Sequence, residues 1–382
     1  MDYDISEKES ALRDEVAKII ADDGMPDPDG VDPGNTQEVE ACLRAWLQRL
    51  GAAGHLSAAL GRKGASEALS LVLAIKTLAV RSQWLALAVE IGARRLASLI
   101  ADHGSEDVRQ GYFDRIVSGE SITAVAVSEP KSGSVPAELS TVAEPQGQGW
   151  VVNGEKVLVS LAPMADVIAV AAQTRDGTAL FMVEKAAAGL TIGERVTTLG
   201  YEELQTSNLK LEAVSVDAGQ VIGPLGEGGE DLLHKLRRIE DRSLTAISLG
   251  IIGCCLEEAK KAADVERNAA KPPAGHQLVR FTLAEMLALS QTADLLACRA
   301  ACLEERDVRE ARSLALCAKV FATETALRIS DQALQVMAAS AYSGRNRVER
   351  AFRNARLGTI VAHTSQVARM AIAEDVLDTL VR

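Results

Sequence analysis

The sequence has few aromatic residues and fewer positive than negative charges, and both features limit the kinds of protein that it can be. Only 3% of its 382 residues are aromatic while 47% are hydrophobic. Aliphatic side chains must therefore build the core, and the dominance of Ala and Leu among them favours helix over sheet. The formal net charge is −12 and the pI about 5.1. Because no basic stripe offsets this acidity, we expect no nucleic-acid partner.

The sequence also lacks a Cys-x-x-Cys pair, and it has no signal-peptide pattern at its start. Its six cysteines stand mostly in apolar helical contexts, where a free thiol acts as a small hydrophobe. The most apolar stretch, residues 69–91, is interrupted by Lys76, Arg81 and Glu90. We therefore expect a cytoplasmic protein with no membrane span and no metal site.

The hydrophobic spacing changes twice along the chain. Residues 1–120 have helical spacing, residues 121–225 have short apolar runs between turn residues, and residues 226–382 return to long helical stretches. We predict a mainly α protein with three domains at these bounds: an N-terminal helical domain, a β-barrel-like middle domain and a C-terminal four-helix bundle. The pair Asn153-Gly154 predicts a hairpin turn, and 347–381 one long helix.

A candidate binding segment lies at the first change of pattern. Residues 124–127 form a short apolar run suited to a strand, and residues 128–134 form a loop rich in Ser and Gly. Such a loop can approach a phosphate or a planar ring, although an ordinary exit from a strand has the same composition. The order of domains leaves a crevice between the β-domain and the bundle, where ligands tend to bind.

Five segments in order resemble the acyl-CoA dehydrogenase family. They are His103–Tyr112 with Ser118–Glu120, Ser128–Ser134, Asn153–Lys156, Ala165–Asp166 and Arg347–Arg356. The resemblance implies the family's fold and reaction. A carboxylate takes the α-proton of an acyl-CoA thioester, and N5 of an FAD cofactor takes the β-hydride. It further implies a dimer or tetramer, homo- or hetero-oligomeric, with an electron-transfer flavoprotein as electron acceptor.

The chain departs from the family at the catalytic base. The family's base loop matches residues 361–366, where the carboxylate position is Ala362. Some family members carry the base on an earlier helix, and there the match gives Glu240, or Asp241 after a slip of one residue. The slip also places Arg242 at the family's substrate-binding arginine. An exposed charged helix face is the ordinary alternative, and the imidazole of His363 is a less favoured base.

The residues that the resemblance assigns to flavin are also altered. Val125, Val127 and Ser128 match the strand and loop beside the ring, and Leu158 and Ser160 replace the family's Trp and Thr. Ala338-Ala339 replaces a Gly-Gly pair that admits the diphosphate. The other cofactor-binding candidates are Arg267, Gln335, Ala339, Thr364 and Gln366, and Ser134 is a candidate for the pantetheine or phosphate of the substrate.

Three functions are compatible with this pattern. The first is a divergent flavin-dependent acyl-CoA dehydrogenase. The second is a redox-impaired subunit that completes a hetero-oligomer with an active homologue. The third is a non-oxidative thioester enzyme that uses the same pocket without flavin.

Overall fold

The computed structural model describes residues 5–60, 65–131, 139–223, 229–264, 273–304, 309–342 and 346–380. The candidates Ser134 and Arg267 lie outside these described residues. The chain divides into two compact units. We call one the helical unit (residues 1–17, 63–86 and 241–382) and the other the sheet unit (residues 18–62 and 87–240).

Helices precede the first strand, as the spacing predicts. They are α1 (Glu7–Ile20), α2 (Thr36–Ala52), α3 (Ala65–Arg81), α4 (Gln83–Val89), α5 (Arg95–His103), α6 (Glu106–Val108) and α7 (Asp114–Val117). Single π-helical turns join α4 to α5 and α6 to α7. Side-chain caps fix two starts: Asn35 accepts from the Glu38 N–H, and Ser105 accepts from the Val108 N–H.

In the described part of the sheet unit, eight strands form one sheet. They are β1 (Thr123–Ala126), β2 (Val142–Gln146), β3 (Gly149–Val159), β4 (Val167–Thr174), β5 (Gly177–Glu184), β6 (Leu190–Arg195), β7 (Ser207–Asp217) and β8 (Val221–Ile222). Their order is β6-β7-β3-β2-β4-β5-β8, and β1 pairs with β4 in parallel. Small aliphatic side chains from most of these strands form one buried cluster around Phe181. Closely packed Ala and Val side chains therefore fill this core with few aromatic residues.

The predicted hairpin turn at Asn153-Gly154 is wrong, because β3 runs through it. Gly154 has a φ of +153°, and a Cβ there would lie 2.5 Å from Oγ1 of Thr141. The pairing with β7 shifts at this point, and the Asn153 side chain accepts from the Ala213 N–H at 2.7 Å. Asn153-Gly154 therefore lies opposite a bulge in β7, where Ala213 has a φ of +53°, and Gly154 allows close backbone approach.

Long helices build the helical unit. They are α8 (Gly229–Asp264), α9 (Gln277–Leu303), α10 (Arg309–Met337) and α13 (Ser365–Leu380), with the shorter α11 (Ala339–Tyr342) and α12 (Arg347–Gly358) between the last two long ones. The first residues of α8, up to Glu240, belong to the sheet unit. Gly250 lets α8 approach α3 closely, since a Cβ at this position would lie 2.3 Å from Cβ of Ala79.

Two of these helices differ from the sequence-based picture. The single helix predicted over 347–381 is broken between α12 and α13, where Ala362 has a φ of +58°. Helix α9 is long and apolar enough to cross a membrane by length and composition alone, a test that a core helix of a soluble protein also passes.

Candidate functional site

The loop after β1 lies alongside β3 in the sheet unit. Val125 is buried, Val127 is half-buried and Ser128 is exposed. The carbonyl of Ser128 accepts from the Val157 N–H at 2.9 Å. Residues that are 29 positions apart in the sequence are thereby hydrogen-bonded neighbours, so two of the segments assigned to flavin by the resemblance adjoin.

A bulge in β3 presents the next residues to solvent. Between Lys156 and Val159 the pairing with β7 shifts, and Leu158 has a φ of +56°. Its side chain is 59% exposed, and its N–H donates to Oδ1 of Asn208 at 3.0 Å. Ser160 is half-buried. We call Ser128 and Leu158–Ser160 the bulge segment; bulges of this kind often lie beside functional sites, because they re-aim side chains.

A buried ion pair supports the bulge segment. Nζ of Lys156 lies 2.7 Å from Oε1 of Glu129, and both side chains are almost fully buried. Glu129 also accepts from the N–H groups of Ser140 and Thr141. Burial raises the pKa of Glu129, but the Lys156 ammonium and the bonds from Thr141 and Ser140 outweigh it and lower this pKa to about 2. Sequence reasoning missed this pair, although both residues lie in the segments that carry the resemblance.

Glu240, the first base candidate, is ion-paired within the sheet unit. Its Oε1 contacts Nη1 of Arg95, a residue of α5. Nη2 of the same guanidinium lies 3.5 Å from the carbonyl oxygen of Val125. The carboxylate of Glu240 is therefore already neutralised by a fixed cation.

Asp241, the second base candidate, lies in the helical unit and contacts His363. Oδ2 of Asp241 is 2.5 Å from Nδ1 of His363, and Oδ1 accepts from the His363 N–H at 3.3 Å. The side chain of Asp241 is 6% exposed and that of His363 is 14% exposed. A buried carboxylate thus holds both the backbone and the ring of a histidine next to Ala362.

The loop between α12 and α13, residues 359–364, is held from a second side. Lys319 of α10 is fully buried, and its Nζ donates to the carbonyls of Val361 and His363. Oγ1 of Thr364 accepts from the Val367 N–H at 3.2 Å and caps α13. The left-handed backbone of Ala362 lies between these anchors, so the loop has a defined conformation.

The remaining candidates of the helical unit lie apart from this pair or at its edge. Arg242 is paired with Glu304, with Nη1 3.0 Å from Oε1. Thr364 is half-buried, whereas Gln335, Ala339 and Gln366 are exposed. Ala338 ends α10 with a φ of +54°, a conformation that suits the glycine of the family motif.

These positions allow a test of the fit to a flavin. The bulge segment offers an exposed apolar side chain, Leu158, beside the hydroxyls of Ser128 and Ser160, which fits a planar polar ring. At the helix end, the backbone of Ala338 keeps a glycine-like shape, but Ala338 and Ala339 add exposed methyl groups. The residues of the bulge segment therefore suit the ring, whereas the two methyl groups leave less space for the diphosphate than a Gly-Gly pair would.

Models of three domains that belong to one protein family match the chain, in the same order. Residues 6–120 match the acyl-CoA dehydrogenase N-terminal domain, residues 124–214 the middle domain and residues 240–377 the C-terminal domain. The chain is 30% identical to benzylmalonyl-CoA dehydrogenase of Aromatoleum aromaticum, over 98% of this chain and 100% of that protein.

The chain belongs to the acyl-CoA dehydrogenase family. Two solved structures support the same fold. The glutaryl-CoA complex of glutaryl-coenzyme A dehydrogenase has a TM-score of 0.89 at 24% identity, covering 99% of this chain and 97% of that chain. The FAD complex of PigA has a TM-score of 0.86 at 22% identity, covering 98% and 99%. The predicted family and fold class are confirmed, and the homologues of this acyl-CoA dehydrogenase family member are oxidoreductases.

Sequence reasoning identified both residues of the Asp241–His363 pair but not their contact. They are 122 residues apart, and no spacing rule connects them. The available signal was that the carboxylate position in the loop is Ala362, with an imidazole next to it, while acids remain at 240 and 241 on α8.

Proposed function

We propose that this protein is a flavin-dependent dehydrogenase that introduces an α,β double bond into an acyl-CoA thioester. The observation that carries the proposal is the hydrogen bond from Val157 to Ser128, which brings the loop after β1 to the bulge of β3 that contains Leu158. A side chain that is apolar and exposed at this point has no role in the core of the sheet unit, but it suits contact with a ring.

FAD is the proposed cofactor, and it supplies a hydride acceptor to the reaction. Val125, Val127 and the bulge segment would hold its ring, with Ser160 as a hydroxyl donor. Gln335, Ala339, Thr364 and Gln366 would hold the rest of it, together with Arg267. Ser134 and Arg242 are the proposed substrate-binding residues.

Of the two acids that the resemblance offers for the proton step, Asp241 is the one that contacts the base loop. Glu240 is neutralised by Arg95, so proton abstraction would first have to break an ion pair. Asp241 instead contacts the loop that carries Ala362, the position of the family's usual base. Removal of the α-proton requires a base next to the thioester carbonyl, which must itself be polarised.

Anaerobic titration of the purified protein with acyl-CoA thioesters tests this function. We expect the visible absorption of bound flavin to bleach, and an enoyl-CoA lighter by two hydrogens to form. Bound flavin that is not bleached by a broad panel of straight-chain, branched and aromatic acyl-CoAs would contradict the proposal.

A redox-impaired subunit is the second candidate function. Alanine at position 362 and at the 338–339 pair favours it, because a methyl group at 362 cannot take a proton and those at 338 and 339 occupy space that a Gly-Gly pair leaves to the diphosphate. Purification from the native cell would then bring a second chain of similar size, and flavin only with that chain. A flavin-loaded, active homo-oligomer would exclude this candidate.

Oligomerisation is proposed on the basis of exposed apolar residues. Leu278, Phe281 and Leu295 of α9 and Met370 and Leu377 of α13 are each more than half exposed. Burial of such side chains in a dimer or tetramer would remove them from water. All six cysteines are free, which suits the reducing cytoplasm that we propose as its location. An electron-transfer flavoprotein is the proposed electron acceptor.

A further inference from the structure

The contact between Asp241 and His363 has the geometry of a catalytic dyad. An ionised carboxylate can only accept hydrogen bonds, so the 2.5 Å contact at Nδ1 requires the proton to be on that nitrogen. The second contact, from the His363 N–H to Oδ1, fixes the residue's backbone to the same carboxylate. The carboxylate therefore selects one tautomer and one ring position.

The other ring nitrogen of His363 is left available. Among the described residues, no hydrogen bond or ion pair involves Nε2, and the side chain is 14% exposed. In the tautomer that Asp241 selects, Nε2 carries a lone pair and no proton. An unprotonated, accessible imidazole nitrogen backed by a buried carboxylate is the arrangement that general-base catalysis uses.

The surroundings keep this nitrogen in place. Lys319 holds the carbonyls on both sides of Ala362, and Thr364 caps the helix that follows. The ring is therefore mounted on an anchored loop and not on a free chain end. A catalytic group needs such positioning, because small displacements cost large factors in rate.

We propose that His363 is the proton acceptor of this enzyme and that Asp241 is its positioning residue. The α-C–H bond of the thioester breaks, an N–H bond forms at Nε2, and the electron pair stays on the α-carbon, delocalised into the thioester carbonyl. Asp241 stabilises the resulting imidazolium. The inference rests on the proposed function only for the later loss of the β-hydride to the flavin; the proton step itself needs no redox chemistry.

Deuterium exchange at the α-carbon isolates this step. We would incubate the FAD-supplemented protein in D2O with acetyl-CoA and with phenylacetyl-CoA, which lack a β-hydrogen that could leave, and follow uptake by mass spectrometry. The unaltered protein is expected to exchange the α-hydrogens of at least one thioester. H363Q should slow exchange about 100-fold or more, and D241N about 10-fold or more.

Three further variants separate catalysis from structure. H276Q is the matched control, because His276 is exposed and its side chain makes no cap bond to α9; its rate should stay within about twofold of the unaltered protein. H363A should regain exchange when free imidazole is added, which a structural role would not allow. E240Q tests the competing carboxylate on the same helix.

The outcomes are distinct. Exchange that is lost in H363Q and restored by imidazole in H363A supports the dyad, even where no thioester bleaches a flavin; in that case the redox function fails and the dyad stands. Exchange that survives in H363Q but disappears in E240Q would overturn the proposal. Absence of exchange by the unaltered protein with both thioesters would overturn it as well.

Discussion

The bulge segment of the sheet unit and the α12–α13 loop of the helical unit have diverged in different ways. In the bulge segment the support is a buried ion pair, Lys156 with Glu129, beneath altered side chains at Leu158 and Ser160. In the loop, Ala362 stands where the resemblance places the family's base, and the polar pair of Asp241 with His363 lies beside it. In both places the backbone has a left-handed residue, Leu158 or Ala362, held by polar contacts of its neighbours.

The comparison of the bulge segment with the α12–α13 loop indicates which parts of each region tolerate substitution. Leu158, Ala338 and Ala362 adopt a left-handed backbone that L-residues disfavour. The conformations are fixed by surrounding contacts, so a side chain can change without moving the chain. The following predictions test how firmly each region is held.

The largest effect is expected from breaking the ion pair under the bulge segment. E129A leaves the fully buried ammonium of Lys156 without its carboxylate, and we expect the free energy of unfolding to fall by about 3–5 kcal/mol. Urea unfolding followed by circular dichroism measures it. The matched control is E212A, which removes an exposed partner of Lys210 and should cost less than about 1 kcal/mol. Equal losses in the two variants would show that the pair is not the support.

The Glu129 carboxylate should also make the free energy of unfolding sensitive to acid. The pKa of Glu129 is about 2 in the folded protein, below its ordinary value of 4.5, so the unfolded chain binds more protons between these values. The stabilisation is complete above pH 4.5 and is lost as the pH falls towards 2, by about 1.4 kcal/mol per unit. The stability difference between unaltered protein and E129Q should shrink across this window by about 3 kcal/mol. A constant difference would contradict the folded-state pKa.

A smaller effect is expected from the anchor of the α12–α13 loop. K319M leaves the carbonyls of Val361 and His363 without their donor, which should cost about 2 kcal/mol. Urea unfolding measures this loss, and α-deuterium exchange should fall with it if the anchor positions His363. K261M is the control: Lys261 is exposed and paired only at the surface, so it should change stability by less than about 0.5 kcal/mol.

The smallest change in stability is expected at the end of α10. Its sign should be opposite for the neighbouring positions 338 and 339. A338G relieves a left-handed alanine and should stabilise the protein by about 1 kcal/mol. A339G introduces glycine into helix α11 and should destabilise it by about 0.5–1 kcal/mol. Thermal unfolding of both variants tests the contrast, and FAD titration shows whether removing either methyl tightens binding. Stabilisation by both substitutions would contradict the assigned backbone.

Much of the fold follows from the sequence, because local patterns determine it. The helical spacing of 226–382 predicted α8, α9 and α10, and the apolar run at 124–127 predicted β1. Local rules failed where distant contacts decide. Asn153-Gly154 is a turn by composition, yet the approach of Thr141 and the pairing with β7 keep it within strand β3, opposite a bulge in β7. The break at Ala362 follows from anchors on α8 and α10 that the local sequence does not contain.

The sequence suggests which residues belong to the candidate site, but it does not suggest which of them are in contact. Glu240 and Asp241 are neighbours in sequence, and only the fold separates an acid paired with Arg95 from one paired with His363. Likewise, the sequence makes His363 a less favoured base candidate than the two acids. Helical or strand periodicity could not reveal its contact with Asp241, on which the proposed dyad rests.

The visible absorption spectrum of the purified chain, alone and after incubation with FAD, tests the central claim most directly. The account predicts a yellow protein with about one flavin per chain, held without a second kind of subunit. A protein that stays colourless after FAD is added would contradict it.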